Sequence, residues 1–293
     1  MKKDFFLSAL YSSYIGIRVR VIWYIYTETI YRLKQLKKIG WSYDKSNYYF
    51  HCKYAYGDNI QNIVYLNLLS KSLPRKKFIY GINSEQISQI REFIKSDNLL
   101  VVPIDEMPWH SIDIWKNRYK FWQRSNIRQD YYLFFMEFFL YFSKKINLPN
   151  PIINKYDLMV DVKESLDTQN YDILFINSTP RSFQFSYSNS ELDEKVKLLS
   201  SKYSVITTKK VRGIKSTVDN NLSLYSIGVL SKQCKCIIAI STGPIWPVLN
   251  KSNFNNCKPT LILCDDEIIN FNHCSLSESS LSSVIDFAYE HCQ

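Results

Sequence analysis

Two short turns in this chain carry residue types that could do chemistry. The first is Gly57-Asp58, where an apolar run ends and helical spacing begins. An aspartate at such a turn can cap the helix, or it can be a functional group that faces a ligand at the end of a strand. The second turn is Ser241-Thr242-Gly243-Pro244, whose hydroxyls and free backbone N–H groups could hold a phosphate. Together the two turns offer a carboxylate at one point and donors for an anion at another.

The elements around the first turn predict where Asp58 lies. Residues 48–53 are an apolar run typical of a strand, and Ile60 and Ile63 begin a helical repeat after the turn. Ligands of open α/β sheets bind where strands end, so Asp58 is a candidate functional group as well as a candidate cap. Its neighbours are candidate contacts for a bound substrate: Tyr56, Gly57 and Asn59.

The elements around the second turn repeat this arrangement. Residues 236–240 predict a strand, and Pro244 suits the first position of a following helix because it needs no hydrogen-bond acceptor there. The glycine allows the backbone to approach a ligand closely, and the helix dipole would favour negative charge. The sequence therefore predicts four anion-binding residues here: Ser241, Thr242, Gly243 and Pro244.

Strands and helices alternate along the rest of the chain, which predicts parallel sheets. The spacing predicts a helix over 84–95 capped by Ser84, and two helices within 112–147 that break near Ser125-Asn126. Aromatic and basic residues in that segment could form a substrate groove: Trp115, Lys116, Arg118, Trp122, Arg124 and Arg128. Leu148-Pro-Asn-Pro151 is a linker. We therefore predict domains at 46–155 and 156–293, preceded by a segment at 1–45.

The segment 1–45 is basic and amphipathic. Met1 to Gly40 contains eight Lys or Arg residues against Asp4 and Glu28, within a chain of net charge +10. Apolar residues recur at helical steps, so the pattern favours a helix that lies on an anionic membrane surface, or one that packs on the fold. Arg18 and Arg20 interrupt the apolar stretch, which argues against a spanning helix.

The composition excludes a disordered chain and gives no sign of a metal centre. The chain has 293 residues, 46% of them hydrophobic, which is enough for two domains with cores. Seven cysteines without a Cys-x-x-Cys pair indicate reduced core thiols in a cytoplasmic protein, so we expect neither a metal nor a bound cofactor. The Gly-x-Gly-x-x-Gly nucleotide motif is absent, and no motif indicates a nucleic-acid partner.

The two turns, in this order, resemble the heptosyltransferase-like family of glycosyltransferases. The strand, Gly-Asp turn and helix of residues 53–69 match the start of that family, and Thr242-Gly243-Pro244 matches its Asp-Thr-Gly-Pro loop. The resemblance extends over about residues 47–266. Ser241 stands where the family has Asp, and Trp246 where it has His. The resemblance implies a GT-B fold, in which two Rossmann-like domains face each other across a cleft.

The resemblance also implies roles for particular residues. Asp58 matches the family's proposed base, and the 241–244 turn matches the loop that holds the donor diphosphate. The strand at 171–177 resembles the first strand of the family's second domain, whose loop faces the phosphates. Further donor-side candidates follow from this: Ser178, Thr179, Arg181 and, more weakly, Lys209.

The expected function is inverting, metal-independent transfer of a sugar from a nucleotide-diphosphate donor. The expected acceptor is a glycan or lipid-linked glycan of the bacterial surface, such as lipopolysaccharide or capsule. The enzyme would be cytoplasmic, at the inner face of the inner membrane. Two alternatives stay open. Gly57-Asp58-Asn59-Ile60 also resembles polysaccharide pyruvyl transferases, and the basic, aromatic-rich composition suits a non-catalytic protein that binds a membrane or nucleic acid.

Overall fold

The computed structural model describes residues 47–125, 130–163, 165–166, 170–179, 185–265 and 271–292. Within these residues the chain forms ten strands and nine α-helices around two wholly parallel sheets. The predicted α/β class with parallel sheets is confirmed. The predicted amphipathic helix in segment 1–45 lies outside the described residues.

The first sheet has four strands. These are β1 (Asn47–His51), β2 (Lys77–Ile82), β3 (Leu99–Pro103) and β4 (Ile112–Asp113), in the order β3-β2-β1-β4. Phe50 of β1 lies opposite Tyr80 on one side and Ile112 on the other. The strand order changes direction between β1 and β4, so the loops after these two strands diverge and leave a crevice at their carboxyl ends. The sequence analysis missed the two-residue strand β4.

Four helices accompany this sheet. They are α1 (Tyr56–Ser72), α2 (Ile87–Arg91), α3 (Ile114–Trp122) and α4 (Tyr131–Lys145). The two predicted helices within 112–147 are confirmed as α3 and α4. The predicted helix 84–95 is wrong in extent: it is a 3-10 turn followed by α2, and Ser84 does not cap it. Asn67 ends α2 because its side-chain amide binds the Phe93 carbonyl and the Lys95 N–H, both at 2.8 Å.

The second sheet has six strands. They are β5 (Ile173–Ile176), β6 (Val205–Thr207), β7 (Lys215–Ser216), β8 (Cys236–Ile240), β9 (Thr260–Leu263) and β10 (Ser275–Glu278), in the order β10-β9-β8-β5-β6-β7. β6 and β7 follow β5 on one side of the sheet. The chain then crosses to the other side of β5, where β8, β9 and β10 follow in order. A second crevice therefore opens between β5 and β8 at their carboxyl ends.

Helices cover both faces of the second sheet. They are α5 (Asn189–Ser200), α6 (Leu224–Gln233), α7 (Ile245–Val248), α8 (Lys251–Asn255) and α9 (Ser283–His291). The helix predicted after the 241–244 turn has only four residues. The elements α9, β7 and β10 were not predicted from the sequence. No helix in the described part of the chain combines the length and the hydrophobicity needed to cross a bilayer.

The two sheets share one hydrophobic core. A single cluster of buried side chains runs from Phe50 of β1 to Leu174 and Ile237 of the second sheet. The predicted domain boundary at 155/156 lies between β4, the last strand of the first sheet, and β5, the first strand of the second sheet. The division into two domains stays a prediction.

Hydrogen bonds between distant residues also join the half of the molecule before this boundary to the half after it. Tyr132 Oη donates to the Leu249 carbonyl at 3.0 Å, and Lys95 Nζ donates to Tyr225 Oη at 3.1 Å. The Leu224 N–H donates to Gln89 Oε1 at 2.7 Å, and Ser223 Oγ donates to Glu92 Oε2 at 2.7 Å.

Trp246 is the central aromatic contact between the two halves. Its indole, in α7, stacks on Tyr131 at 5.0 Å between ring centroids and meets Tyr132 and Phe135 edge-on. All three partners belong to α4, and Trp246 itself is buried. Trp246 therefore joins the second half of the molecule to the first.

Replacing this indole should separate the two halves. We expect Trp246→Ala to lower the free energy of unfolding by about 3–5 kcal/mol, because a large buried ring leaves a cavity. The matched control is Trp109→Ala, which removes a half-exposed indole and should cost less than about 1 kcal/mol. Urea unfolding of the full chain measures both. Equal losses for the two variants would contradict this role for Trp246.

Candidate functional site

A cavity of about 550 Å³ lies where the crevices of the two sheets meet. Its walls are the segments after the carboxyl ends of β1, β2, β4, β5 and β8. Nine of the predicted site residues line it: Tyr56, Gly57, Asp58, Ser178, Thr179, Ser241, Thr242, Gly243 and Pro244. The 57–58 turn and the 241–244 turn, which are far apart in sequence, thus contact the same space.

Asp58 is held by an ion pair and not by a capping bond. It is the third residue of α1, whose N-cap is Ala55 without a side-chain capping bond. The capping interpretation of Asp58 is therefore wrong. Its Oδ1 lies 2.7 Å from Nη2 of Arg118, and its side chain is 21% exposed. The carboxylate is thus fixed by one oxygen while it faces the cavity.

Arg118 was only one of six groove candidates in the sequence, and the structure places it at the centre of the site. It is buried, with its guanidinium 5.3 Å from the Phe135 ring centroid. Burial opposes the charged form, but the Asp58 carboxylate together with Tyr131, Cys52 and Tyr80 outweighs burial, so the pKa of Arg118 is raised and the group stays charged. Within the described residues its buried Nη1 has no hydrogen-bond partner. The sequence signal for a buried Arg118 is its position four residues after Ile114, which places both residues on the same, buried side of α3.

The turn before α3 directs Arg118 towards Asp58. Asp113 caps α3 by accepting a hydrogen bond from the Lys116 N–H at 2.9 Å. His51 of β1 contacts Ser111 Oγ at 2.8 Å and lies 3.6 Å from the Asp113 carboxylate. Burial would raise the pKa of Asp113, but His51, the Lys116 N–H and Lys53 together outweigh burial and the pKa is lowered. These contacts fix the start of α3 against β1, and hence the position of the arginine.

Two glycines let the two turns approach each other. A Cβ on Gly57 would lie 2.6 Å from the Trp246 indole and 3.5 Å from the Gly243 Cα, and a Cβ on Gly243 would lie 3.4 Å from the Gly57 nitrogen. The contact with the Trp246 indole requires a glycine at position 57, whereas an added Cβ at position 243 would be close to Tyr56 Cβ, at 3.3 Å. The Gly-Asp and Thr-Gly turns are therefore in van der Waals contact at the cavity wall.

The 241–244 turn presents hydrogen-bond donors to the cavity. The N–H groups of Thr242 and Gly243 find no acceptor among the described residues. By contrast, the Ser241 N–H binds the Leu263 carbonyl at 3.0 Å, which anchors the turn to β9. Ser178 lies across the crevice after β5, with its hydroxyl 3.0 Å from the buried Thr208 hydroxyl. The arrangement can bind an anion through backbone and hydroxyl donors.

Two predicted site residues, Asn59 and Lys209, are described and do not line the cavity. Asn59 is fully buried, and its side chain binds Tyr80, Gln86 and the Tyr54 carbonyl, so the amide holds α1 to the sheet. Lys209 is exposed and lies outside the cavity wall, although its backbone binds Asn177. Arg181 lies outside the described residues.

The remaining cavity groups are aromatic or inert. Tyr54 stacks on Trp115 with ring centroids 3.9 Å apart, and both line the cavity. Cys52 lies below the site, and burial raises the pKa of its thiol to about 12. A thiol with that pKa stays protonated at neutral pH, so Cys52 is not a nucleophile.

The fold is similar to that of several solved glycosyltransferases. A glycosyl transferase family 9 protein from Veillonella parvula matches with a TM-score of 0.47 at 10% identity, over 84% of this chain and 89% of that one. The E. coli heptosyltransferase WaaC with ADP matches with a TM-score of 0.48 at 13% identity, over 84% and 99%. The iron-containing dodecameric glycosyltransferase TibC of enterotoxigenic E. coli matches with a TM-score of 0.49 at 10% identity, over 78% and 62%.

No protein-family model and no curated protein sequence matches the chain. One of these structures is named as a family 9 glycosyl transferase and another as a heptosyltransferase. The two turns of this sequence resemble the heptosyltransferase-like family.

The ion pair predicts an unusual stability pattern at Asp58. We expect Asp58→Asn to lower the free energy of unfolding by about 2–4 kcal/mol, because it leaves the Arg118 charge buried and unpaired. The double variant Asp58→Asn/Arg118→Met should recover most of that loss, since it removes both charges. Urea unfolding of the single and double variants measures the coupling energy. A strictly additive cycle would show that the pair has no energetic coupling.

Proposed function

We propose that this protein is an inverting, metal-independent glycosyltransferase that uses a nucleotide-diphosphate sugar. The observation that carries the proposal is the shared cavity, with the Asp58 carboxylate on one wall and the Thr242 and Gly243 amides on another. A carboxylate facing anion donors across one space suits a reaction that removes a proton at one end and releases a diphosphate at the other.

The acceptor hydroxyl would bind beside Asp58. Arg118 holds Oδ1, which leaves Oδ2 to take the hydroxyl proton. The acceptor oxygen then attacks the anomeric carbon, and the bond from that carbon to the diphosphate breaks with its electron pair going to the diphosphate. A single displacement of this kind inverts the anomeric configuration. Asp58 is the proposed catalytic residue, and Arg118 is its positioning residue.

The departing diphosphate would bind at the carboxyl ends of β5 and β8. The amides of Thr242 and Gly243 and the hydroxyls of Ser178 and Thr179 line this part of the cavity. Fixed donors of this kind stabilise developing negative charge without a metal ion. Arg181, two residues beyond Thr179, is proposed as a further phosphate contact because a guanidinium binds two phosphate oxygens at once.

The sugar rings would bind on the aromatic wall. Trp115 and Tyr54 present stacked rings to the cavity, next to the exposed Lys53. Aromatic walls with a few polar groups are typical of small-molecule sites. We propose a bacterial surface glycan or its lipid-linked precursor as acceptor, and a cytoplasmic enzyme at the inner face of the inner membrane. The net charge of +10 would favour an anionic membrane as a partner.

Removing the proposed base should abolish transfer without unfolding the protein. We expect Asp58→Asn/Arg118→Met to lose at least about 100-fold in transfer rate, as removal of a general base does. Arg118→Met alone is the matched control, because it keeps the carboxylate and should retain more activity than the double variant. The measurement is release of nucleoside diphosphate from a panel of nucleotide sugars, with glycolipid extracts as acceptor. Equal activity of the two variants would remove Asp58 from the role of base.

Nucleoside diphosphates should stabilise the protein. At about 100 times its dissociation constant, ADP, GDP or UDP should add about 2.7 kcal/mol to the free energy of unfolding, read as a thermal shift. Gly243→Ala should reduce this shift, because the new Cβ would press on Tyr56 at 3.3 Å and displace the amides. Lys209→Ala, which alters an exposed side chain outside the cavity, should leave it unchanged.

The same measurement separates the alternatives. Stabilisation by phosphoenolpyruvate without a response to nucleoside diphosphates would favour a pyruvyl transferase. Stabilisation by polyanions alone would favour a non-catalytic basic protein.

A further inference from the structure

Three potential metal ligands come together on the far side of the second sheet. Cys257, His273 and Cys274 each place a ligand atom within 4.8 Å of the others. Cys257 lies in the loop before β9, and Cys274 directly precedes β10. These positions are at the amino ends of the strands, whereas the cavity lies at the carboxyl ends. The cluster is therefore separate from the proposed transferase site.

The spacing of the ligand atoms suits a tetrahedral ion. Cys257 Sγ lies 3.6 Å from His273 Nδ1. In a tetrahedral zinc site, a thiolate at about 2.3 Å and an imidazole nitrogen at about 2.0 Å from the metal are separated by about 3.6 Å. The two atoms thus already stand at the separation that a shared zinc ion would require.

The backbone holds the three residues in place. Asn272 Oδ1 accepts a hydrogen bond from the Cys274 N–H at 2.8 Å, and Ser275 Oγ donates to the Asn272 carbonyl at 2.7 Å. Cys257 has a left-handed backbone with φ of 48° because it lies just past the end of α8: its N–H binds the Phe254 carbonyl at 3.1 Å, and the Lys258 N–H binds the Asn253 carbonyl at 2.9 Å. The Asn272 side chain also donates to the Lys258 carbonyl at 3.4 Å, so the two turns are joined.

We propose that Cys257, His273 and Cys274 bind a zinc ion. Each cysteine contributes a thiolate and releases its proton to solvent, and neutral His273 contributes Nδ1. Water takes the fourth position. Thiolate and imidazole ligands suit zinc, whereas magnesium, calcium and manganese prefer oxygen ligands.

The ion would act by joining two strands, although its water ligand distinguishes it from a structural site closed by four protein ligands. It connects the starts of β9 and β10, which pair in register from Thr260 opposite Ser275. β10 is the edge strand of the sheet and is half exposed. A metal bridge at its start therefore fastens the least protected strand to the core of the second half.

Metal titration of the full chain tests the proposal. After treatment with a chelator and reductant, the protein should bind one Co²⁺ with thiolate-to-cobalt charge-transfer absorption, and Zn²⁺ should displace it. Zinc should also raise the melting temperature. Cys257→Ser, His273→Ala and Cys274→Ser should each weaken zinc binding by more than about 100-fold, since loss of even an outer-shell partner costs about 10- to 100-fold.

Matched controls remove the same residue types elsewhere. His291→Ala and Cys292→Ala should retain the absorption and the zinc affinity. The proposal is overturned if the wild-type chain gives no thiolate–cobalt absorption, or if the absorption survives in the cluster variants. A Cys257–Cys274 disulfide that persists in the reduced protein, detected by mass spectrometry, would also overturn it. The nucleoside diphosphate shift should be the same with and without zinc, so this outcome is independent of the proposed transferase activity.

Discussion

The close approach of Gly57 and Gly243 is the constraint on which the site depends. It brings the turn after β1 and the turn after β8 into contact, and the Trp246 indole fills the space beside them. Because neither glycine has a side chain, two loops from different sheets can meet beside the same cavity. Any larger residue at Gly57 would push Trp246 out of its contacts with α4. The cavity, and the positions of Asp58 and Thr242 within it, follow from that packing.

The ion pair between Asp58 and Arg118 connects stability to the proposed chemistry. A buried arginine is costly unless a carboxylate compensates it, so the Asp58 carboxylate contributes to folding by its position beside Arg118. The same pair orients the carboxylate towards the cavity. An interaction that serves both purposes makes a single substitution ambiguous, because lost activity and lost stability would occur together. Removing both charges separates the two effects.

The second sheet uses its two ends differently. At the carboxyl ends of β5 and β8, the strand order diverges and leaves backbone donors without partners among the described residues. At the amino ends of β9 and β10, two turns converge and bring thiols and an imidazole together. In a parallel sheet, the loops that follow the strands all lie at one end of the sheet, and the loops that precede the strands all lie at the other end. Ligand chemistry and edge-strand stabilisation can thus occupy opposite sides of one sheet.

Much of the fold followed from local pattern. The alternation of strands and helices predicted parallel sheets, and apolar runs placed β1, β5 and β8 within a few residues. The pattern failed where tertiary contacts decide: β4 and β7 have two residues each and are strands only because a neighbour pairs with them. The predicted helix 84–95 was shortened because Asn67, distant in sequence, takes its hydrogen bonds.

For the site, the sequence by itself determined the two turns and their chemistry: a Gly-Asp pair and a Thr-Gly pair, each after a strand. Residue types and strand ends are local, so they are readable from the chain. Only the tertiary structure decided that Arg118 pairs with Asp58, that Asn59 is buried, and that Cys257 meets His273 and Cys274. Those facts depend on which segments pack together, and packing is set by the whole core and not by any one stretch of sequence.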